Sequence, residues 1–406
     1  MFLFYVRKVK VSFLKMGFFI LNYSKKVDFQ PNFTLSSFKI YMSVPPTIYF
    51  TVTNDLSFDQ RMFRICSSLK TAGYNIHLIG RQLTTSPPLK ERTYRQTRLK
   101  CFFNGGPLFY LEFNLRLFFF LLFRKMDGVV AIDLDTILPV LFVSKLKGTI
   151  RLYDAHELFC EMKEVVERPL IHRIWSMVER YAVPKFIHGY AVNQHLTDYF
   201  KGKYNLNYQV VRNMSLFQPA NDPVKREGFI LYQGAVNEGR CFETLIPAMK
   251  DVQGKLVICG TGNYLDQTKA LVSLHGLSDK VIFKGNVDPN ELRMISSSAS
   301  IGITLFEKES KNNYYSLANR FFDYVHAGTP QICVNYPAYA TLNQIHCVAV
   351  LLNDVSVISI SDALNRLLED DQLWNMHHQA CLKAAPEWSW QIESEVLVSL
   401  YKNIFG

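Results

Sequence analysis

The chain has 406 residues, 49% of them hydrophobic, and a formal net charge of +10. This length exceeds a single core of ordinary size, so we expect two domains. Its eight cysteines are scattered singly without a CxxC pair, which argues against a disulfide framework or a zinc site and favours a reducing cytosol.

The positive charge is concentrated in the first part of the chain. Residues 1–150 hold 21 Lys or Arg and 8 Asp or Glu, hence +13, which leaves −3 for residues 151–406. A basic half of this kind suggests that an anionic surface meets the first domain. Because no nucleic-acid-binding motif accompanies the charge, we favour an anionic membrane surface or a lipid-phosphate acceptor over nucleic acid.

Residues 1–45 mix aromatic side chains with lysines and form a predicted N-terminal arm. The longest clean apolar run, 17–21, is too short to span a bilayer, and no convincing signal-peptide cleavage site follows it. A loosely ordered arm, an interfacial helix, and a true start at Met16 or Met42 all stay open.

The next residues predict a βαβ opening. A buried strand at 47–55 is followed by a helix at 59–72 and a second strand at 75–81. A βαβ unit implies a parallel sheet. Residues 82–100, with TTSPP and five Lys or Arg, predict a mobile basic loop.

The segment 108–125, LFYLEFNLRLFFFLLFRK, is apolar on nearly all sides of a helix. One interpretation is a helix buried between the sheet and its neighbours. The other is an interfacial helix over 108–123, with Arg116, Arg124 and Lys125 near lipid headgroups.

Further alternating strands and helices complete the first domain, which we place at 46–216. They are predicted at 128–135, 136–147, 149–159, 168–183, 189–194 and 207–215. The polar linker 217–228 marks the boundary to a second domain at 217–386. The final helix, within 387–406, is amphipathic and is expected to pack back on the first domain.

In the second half, apolar strands end repeatedly at glycines before helices. FILYQG stops at Gly234, KLVICGTG at Gly260 and Gly262, and KVIFKG at Gly285. Such turns leave unpaired backbone N–H groups that point into one crevice and suit phosphate. Three turns of this type within about a hundred residues predict a nucleotide-diphosphate site.

The segment EKESKNNYYSLANRFFDYVHAGTP (307–330) continues that pattern. Asn319 and Arg320 lie one turn before Asp323 on one face of a predicted helix. A carboxylate there can accept hydrogen bonds from both hydroxyls of a ribose, while the helix N-terminus faces the phosphate. The alternative is an ordinary surface helix with an Asp–Arg pair.

Taken together, YQGAVNEGR, ICGTGN, VIFKGNVDPNEL, ASIGITLFE and SLANRFFDYVHAGTP resemble the donor-binding domain of GT-B glycosyltransferases, in particular the family-four group of retaining enzymes. YDAHELF (153–159) and VVRNMS (210–215) resemble the acceptor domain of the same group. The resemblance implies an α/β fold with two Rossmann-like domains facing a cleft. It also implies retaining sugar transfer from a UDP- or GDP-sugar without a metal or other cofactor.

The same resemblance suggests roles for single residues. Arg240 matches the phosphate-contacting Lys of the family, whereas Ala235 replaces the Arg that usually precedes it. Asp323 matches the second Glu of a Glu-x7-Glu pair, but Tyr315 stands where the first belongs. The predicted donor-binding set is Gly234, Gly260, Gly262, Val287, Ser316, Leu317, Asn319, Arg320 and Asp323, with Ser316 and Leu317 offering backbone N–H groups to the diphosphate.

His156 follows the C-terminal end of a predicted strand, where open α/β sheets bind ligands. The resemblance places a histidine there beside the donor sugar, so we expect His156 and Arg240 to be catalytic. A His satisfied by a neighbouring loop is the alternative. Asp154 and Glu157 are candidate orienting or acceptor-side residues.

Asp133-Leu134-Asp135 forms a DxD sequence, which holds a divalent ion in the other major glycosyltransferase architecture. Because the pair precedes a first-domain helix and the nucleotide turns lie in the second domain, we favour helix capping and no metal site.

We therefore expect a glycosyltransferase that acts on a glycan or polyprenyl-linked acceptor in cell-envelope or capsular polysaccharide synthesis. It would be cytoplasmic and peripheral on the inner face of the membrane. A sugar-nucleotide epimerase of the same architecture is the alternative. An NAD-dependent oxidoreductase would need glycines after the first strand, and TVTNDLSFDQ has none.

Overall fold

The computed structural model describes residues 44–57, 59–219 and 226–406. Nearly all of the predicted arm (1–45) and part of the predicted linker (217–228) lie outside these residues. The expected domain bounds stay predictions, although the described residues divide into two sheets on either side of the linker.

The first sheet contains seven parallel strands in the order β3-β2-β1-β4-β5-β6-β7. Its strands are β1 Thr47–Asp55, β2 Asn75–Gln82, β3 Arg95–Lys100, β4 Gly128–Ile132, β5 Ile150–Ala155, β6 His188–Ala191 and β7 Gln209–Val210. The central strands β1 and β4 are buried along most of their length because helices cover both faces of the sheet.

Helices from two sides pack on this sheet. They are α1 Gln60–Thr71, α2 Gly106–Leu122, α3 Ile137–Lys147, α4 Lys163–Val166, α5 Pro169–Ala182 and α6 Gln194–Tyr204. Tyr49 of β1 faces the core formed with α2, α3 and α6, whereas its neighbours Ile48 and Phe50 face the core formed with α1. This alternation follows from the two-residue period of a strand.

The second sheet contains six parallel strands in the order β10-β9-β8-β11-β12-β13. Its strands are β8 Phe229–Gln233, β9 Lys255–Cys259, β10 Val281–Gly285, β11 Ile301–Thr304, β12 Gln331–Val334 and β13 Ala349–Leu352. This is the 3-2-1-4-5-6 order of a doubly wound Rossmann sheet, so ligands are expected at the switch between β8 and β11.

The second-domain helices alternate with these strands. They are α7 Phe242–Ala248, α8 Leu265–Leu274, α9 Pro289–Ser298, α10 Lys311–Tyr315, α11 Asn319–His326, α12 Pro337–Ile345, α13 Val357–Glu369 and α14 Asp371–Glu387. The predicted architecture of two Rossmann-like domains facing a cleft is confirmed.

The final helix, α15 (Trp390–Phe405), crosses back to the first domain as expected. Trp390, Leu397 and Tyr401 are buried in the same core as Ile48 and Phe50. Beside this crossing, the Trp390 N–H donates to the Ser215 carbonyl at 2.9 Å, and the Phe217 N–H donates to Gln391 Oε1 at 3.1 Å. The two chain segments that connect the domains are therefore hydrogen-bonded side by side.

One prediction about the first domain is wrong in part. The mobile basic loop predicted at 82–100 ends before its last third, because Arg95–Lys100 forms the edge strand β3, which pairs in parallel with β2.

Helix α2 has features of both interpretations, so the interfacial one stays a prediction. Phe109, Phe113, Leu117 and Leu121 are buried, whereas a stripe that includes Leu111 and Phe119 remains exposed.

Candidate functional site

The glycine turns of the second domain bring backbone close together at the C-terminal ends of β8 and β9. Gly234 and Gly260 have φ of 115° and 153°, a region that disfavours other residues. A Cβ on Gly260 would collide with the Gly234 carbonyl, and one on Gly262 with the Val236 carbonyl. Glycine is therefore required here for the close approach of two loops.

Two guanidinium groups, from Arg240 and Arg320, lie together beside these turns. Both stack on the Phe306 ring, with their Cζ atoms 4.4 and 5.2 Å from its centroid, and Arg320 also lies 4.5 Å from the centroid of Tyr232. Arg240 Nε and Arg320 Nη1 are buried and have no hydrogen-bond partner among the described residues.

The electrostatics of this pair favour an anion. Burial and the neighbouring charge of Arg320 lower the pKa of Arg240. In both groups the aromatic ring fixes the guanidinium plane without neutralising its charge. Two fixed cations, each with a buried unpaired donor, are suited to bind a diphosphate.

The N-terminus of α11 lies in the same segment as Arg320. Its N-cap residue, Ala318, makes no side-chain capping hydrogen bond, so the N–H groups of the first turn need other partners. The Ser316 N–H, however, donates to the Asn313 carbonyl at 3.2 Å, and the Ala318 N–H donates to the Tyr339 hydroxyl at 2.9 Å. The Ser316 amide is therefore engaged within the protein in this structure, and the assignment of the Ser316 and Leu317 amides to the diphosphate stays a prediction.

Asp323 lines a cavity of about 360 Å³ between the two domains. Its two oxygens accept hydrogen bonds from the Ser215 hydroxyl at 2.6 Å and from Gln233 Nε2 at 3.0 Å. Burial raises the pKa of Asp323, and the Ser215 hydrogen bond opposes that rise. The carboxylate does not pair with Arg320, so the surface ion-pair interpretation of this helix is not supported.

Other side chains lining this cavity come from both domains. Val287 and Asn319, both predicted to contact the donor, lie in the wall, and Arg64 of α1 contributes from the first domain. Arg64 Nε is buried and has no hydrogen-bond partner among the residues that the structure describes. The pKa of Arg64 falls to about 10 because of burial and the charge of Arg61.

His156 lies just past β5 and is held by three side chains of the first domain. Arg61 Nε donates to His156 Nε2 at 2.8 Å, and Arg61 Nη2 donates to Asp154 Oδ1 at the same distance. The backbone N–H of His156 donates to Asp133 Oδ1 at 2.8 Å. Asp154 is fully buried, so it orients Arg61 and His156 and is not accessible as an acceptor-side residue.

The protonation of His156 is set by these neighbours. Burial lowers the pKa of His156, but the charges of Asp154 and Asp133 outweigh burial and raise it above the ordinary value. Nε2 lies 2.8 Å from Arg61 Nε and 3.1 Å from Asp154 Oδ2, so both neighbours hold this nitrogen. Nδ1 lies 3.6 Å from Asp133 Oδ2, too far for a hydrogen bond, and is the ring nitrogen left for a ligand.

The helix-capping prediction for the DxD sequence is wrong. Asp133 has a φ of 53°, and its side chain caps no helix but accepts the His156 N–H. The side chain of Asp135 accepts a hydrogen bond from the Thr53 hydroxyl. Within the described residues, no group of three or more His, Cys, Asp or Glu side chains is arranged to hold a metal ion.

Residues 310–315 connect the second domain to the first across the cleft. Asn312 Oδ1 accepts from the Leu158 N–H at 3.0 Å, and its amide donates to Glu157 Oε2 at 3.4 Å. The Tyr315 carbonyl accepts from Asn193 at 2.8 Å, so the residue that replaces the family Glu serves here as a contact between domains.

Glu157 connects the two halves of the site electrostatically. Burial and Asp133 raise the pKa of Glu157, whereas the positive charges of His156 and Arg240 oppose this rise. The two residues predicted to be catalytic, His156 of the first domain and Arg240 of the second, therefore both favour the ionised form of the Glu157 carboxylate.

Sequence reasoning did not identify Arg61, Arg64 or Gln233. Arg61 could have been identified from the sequence, because it precedes Ile65 by four residues and so lies on the apolar face of α1. A charged residue on that face needs a buried partner. Gln233 and Arg64 carry no comparable signal.

Residues 215–388 match the family model described as glycosyl transferases group 1. The match contains the glycine turns, Arg240, Arg320 and Asp323. No sequence among the curated proteins matches the chain.

Solved structures with a similar fold cover most of the chain. Sucrose-phosphate synthase from Thermosynechococcus elongatus has a TM-score of 0.73 at 16% identity, over 89% of this chain and 99% of that one. Anabaena HepE, in complex with UDP and glucose, has a TM-score of 0.70 at 11% identity, over 88% and 100%. WaaG, a glycosyltransferase involved in lipopolysaccharide biosynthesis, has a TM-score of 0.66 at 14% identity, over 87% and 99%.

Proposed function

We propose that this GT-B glycosyltransferase moves a sugar from a nucleotide diphosphate sugar to a glycan or polyprenyl-linked acceptor of the cell envelope or capsule. Its residues 215–388 match the family model described as glycosyl transferases group 1, which supports the proposal. The bond between the anomeric carbon and the diphosphate oxygen breaks. A bond from that carbon to an acceptor hydroxyl oxygen forms, and the hydroxyl proton passes to the leaving diphosphate.

The Arg240–Arg320 pair carries this proposal. A diphosphate placed against both groups would accept hydrogen bonds from Arg240 Nε and Arg320 Nη1. These are two buried donors without a partner among the described residues. The base and ribose would then occupy the cavity that contains Asp323 and Val287. Asp323 would bind the ribose hydroxyls in place of, or together with, Ser215 and Gln233.

The same residues suggest how the reaction is accelerated. Negative charge develops on the diphosphate as the anomeric bond breaks, and two cations plus the N-terminus of α11 stabilise it, a role that a divalent ion serves in other architectures. His156 Nδ1 would form a hydrogen bond with a hydroxyl of the transferred sugar. Since no carboxylate stands at Tyr315, we propose retention by attack from the face that the nucleotide leaves, without a covalent intermediate.

A panel of UDP- and GDP-sugars scored by thermal shift, with EDTA present, tests donor binding. At a ligand concentration of about 100 Kd, the stabilisation is about 2.7 kcal/mol, enough for a clear rise in melting temperature. If no nucleotide sugar raises the melting temperature, or if stabilisation appears only when a divalent ion is added, the donor site or its metal independence is refuted.

The second part of the proposal is peripheral binding to an anionic membrane through the α2–α3–α5 face. We define this face by the exposed apolar side chains Leu108, Leu111, Leu115, Phe119, Phe123, Phe142, Leu146, Leu170, Ile174, Met177 and Tyr181. No described helix is long and apolar enough to cross a bilayer. An exposed apolar area of this extent marks an interaction surface.

The charged residues of helices α2, α3 and α5 indicate which kind of surface would bind this face. The three helices carry five Lys or Arg and two Glu. Glu112 is paired with Arg116, and Glu179 is buried against Lys203, so within the described part of the chain the unpaired charge on these three helices is positive. Apolar side chains surrounded by unpaired basic residues suit a bilayer of anionic lipid.

Sedimentation with anionic liposomes tests this part. The double substitution Leu115→Ser/Phe119→Ser should weaken partitioning about tenfold or more, because each side chain contributes on the order of 1 kcal/mol on burial. The control is Leu274→Ser/Ile345→Ser, which removes two exposed apolar side chains of the second domain and should have no effect. Failure of the wild type to sediment at low salt would refute membrane binding.

A further inference from the structure

A second cavity, of about 290 Å³, lies between α2 and α5 in the first domain. Its walls are mostly apolar, with Tyr110 and Trp175 packed edge-to-face at a centroid distance of 5.5 Å and Leu138 of α3 beside them. This volume is at the small end of ligand pockets, so it suits a short hydrocarbon segment better than a saccharide.

One end of the cavity is polar and adjoins the site described above. Asp135 lines it and is two residues from Asp133, which holds the backbone of His156. Asn114 also lines it and donates to the Asp135 carbonyl at 2.9 Å. A molecule in the cavity would therefore present one end toward the residues next to His156.

The cavity is also continuous with the α2–α3–α5 face. Leu111 and Ile174 line the cavity and are exposed members of that face. Arg168, an exposed cation, lies among the same lining residues. A ligand that enters from a lipid surface would pass Leu111 and Ile174 first, with a cation available for a phosphate.

On the basis of the proposed function, we propose that the α2–α5 cavity is the acceptor subsite for the hydrocarbon chain of a lipid-linked acceptor, whose polar head lies at Asp135 near His156. The enzyme would then select acceptors by their lipid portion as well as by their sugar. An acceptor with a short or polar aglycone would lose the contacts with Tyr110, Leu138 and Trp175.

Binding of n-octyl β-glucoside, below its micellar concentration, and of methyl β-glucoside tests the cavity without knowledge of the acceptor sugar. We expect the octyl compound to change tryptophan fluorescence in a saturable way and the methyl compound to bind at least tenfold more weakly. The signal should disappear in Trp175→Phe. Ile174→Glu should weaken octyl binding at least tenfold, because it places a carboxylate at an exposed position on the cavity rim.

The matched control is Leu146→Glu, which changes an exposed apolar residue of the same face outside the cavity and should bind octyl glucoside normally. Equal affinity for the two glucosides, or an octyl signal that survives in both Trp175→Phe and Ile174→Glu, would overturn the proposal. Thermal stabilisation by nucleotide sugars, measured on the same samples, separates failure of the acceptor subsite from failure of the proposed function. If that stabilisation persists, only the acceptor-subsite proposal is refuted. If it is also absent, the proposed function is refuted.

Discussion

Replacing Arg240 with methionine should weaken donor binding and at the same time stabilise the free protein. The guanidinium is packed on Phe306 beside Arg320, and burial together with that second cation lowers the pKa of Arg240. No carboxylate pairs with it in the described residues. Methionine keeps an apolar chain against the ring and removes the repulsion.

The size of the binding loss follows from the contact removed. A hydrogen bond to a charged group contributes about 1.5–3 kcal/mol, and about 1.4 kcal/mol corresponds to tenfold in affinity. Titration calorimetry should therefore show a Kd about ten- to hundredfold higher. Turnover should fall by about 10²–10³-fold, because the lost donor acts most strongly on the charge that develops in the transition state.

Arg124→Met is the matched control, since Arg124 also stacks on a phenylalanine, with its Cζ 4.9 Å from the centroid of Phe120, but outside the cleft. This substitution should leave both the Kd for the donor and the turnover unchanged. A fall in turnover of less than tenfold for Arg240→Met would remove Arg240 from the catalytic role. A lower melting temperature of the free variant would show that Arg240 is a structural residue.

Three further outcomes are expected. Asp323→Asn should reduce the preference for a ribonucleotide diphosphate over its 2′-deoxy analogue, measured by calorimetry, because the amide can no longer accept two hydroxyl hydrogen bonds; an unchanged preference would contradict the ribose assignment. Arg61→Met should cost about 3–5 kcal/mol in urea unfolding by removing the guanidinium that pairs with the buried Asp154 carboxylate, and Arg61→Met/Asp154→Leu should recover much of that loss; equal stability of the single and double variants would refute the pairing argument. Burial and the charge of Asp133 raise the pKa of Asp135 to about 7, above its unfolded value of about 3.9, so the native state binds more protons and stability should fall as pH rises between these values. Asp135→Asn should flatten that part of the urea-midpoint profile, and an identical profile would show that Asp135 does not titrate there.

The second-domain part of the candidate site could be largely predicted from the sequence because it is built from local patterns. Gly234 and Gly260 end buried strands, and Arg320 and Asp323 occupy one short helix, so neighbouring positions along the chain also lie close in space. The resemblance to a known family added Arg240, which spacing alone does not single out.

The first-domain part of the candidate site could not be predicted to the same extent, because its contacts join distant parts of the chain. Arg61 and His156 are 95 residues apart, and nothing in either segment specifies the pairing. Asp133 resembled a helix cap, but its backbone adopts a left-handed φ and turns the carboxylate to His156. Strand β3 was missed because an edge strand is half-exposed, and its basic residues concealed the β pattern.

The paired crossings near Ser215 and Trp390 constrain how the domains can move. An opening of the cleft that keeps both of these hydrogen bonds has to be a rotation about the line through the two adjacent connections, which would then be a hinge axis. Ser215 belongs to this axis through its carbonyl and holds Asp323 through its hydroxyl. A ribose that displaces the Ser215 hydroxyl would therefore act at the pivot itself, where a small displacement has the greatest leverage on the angle between the lobes.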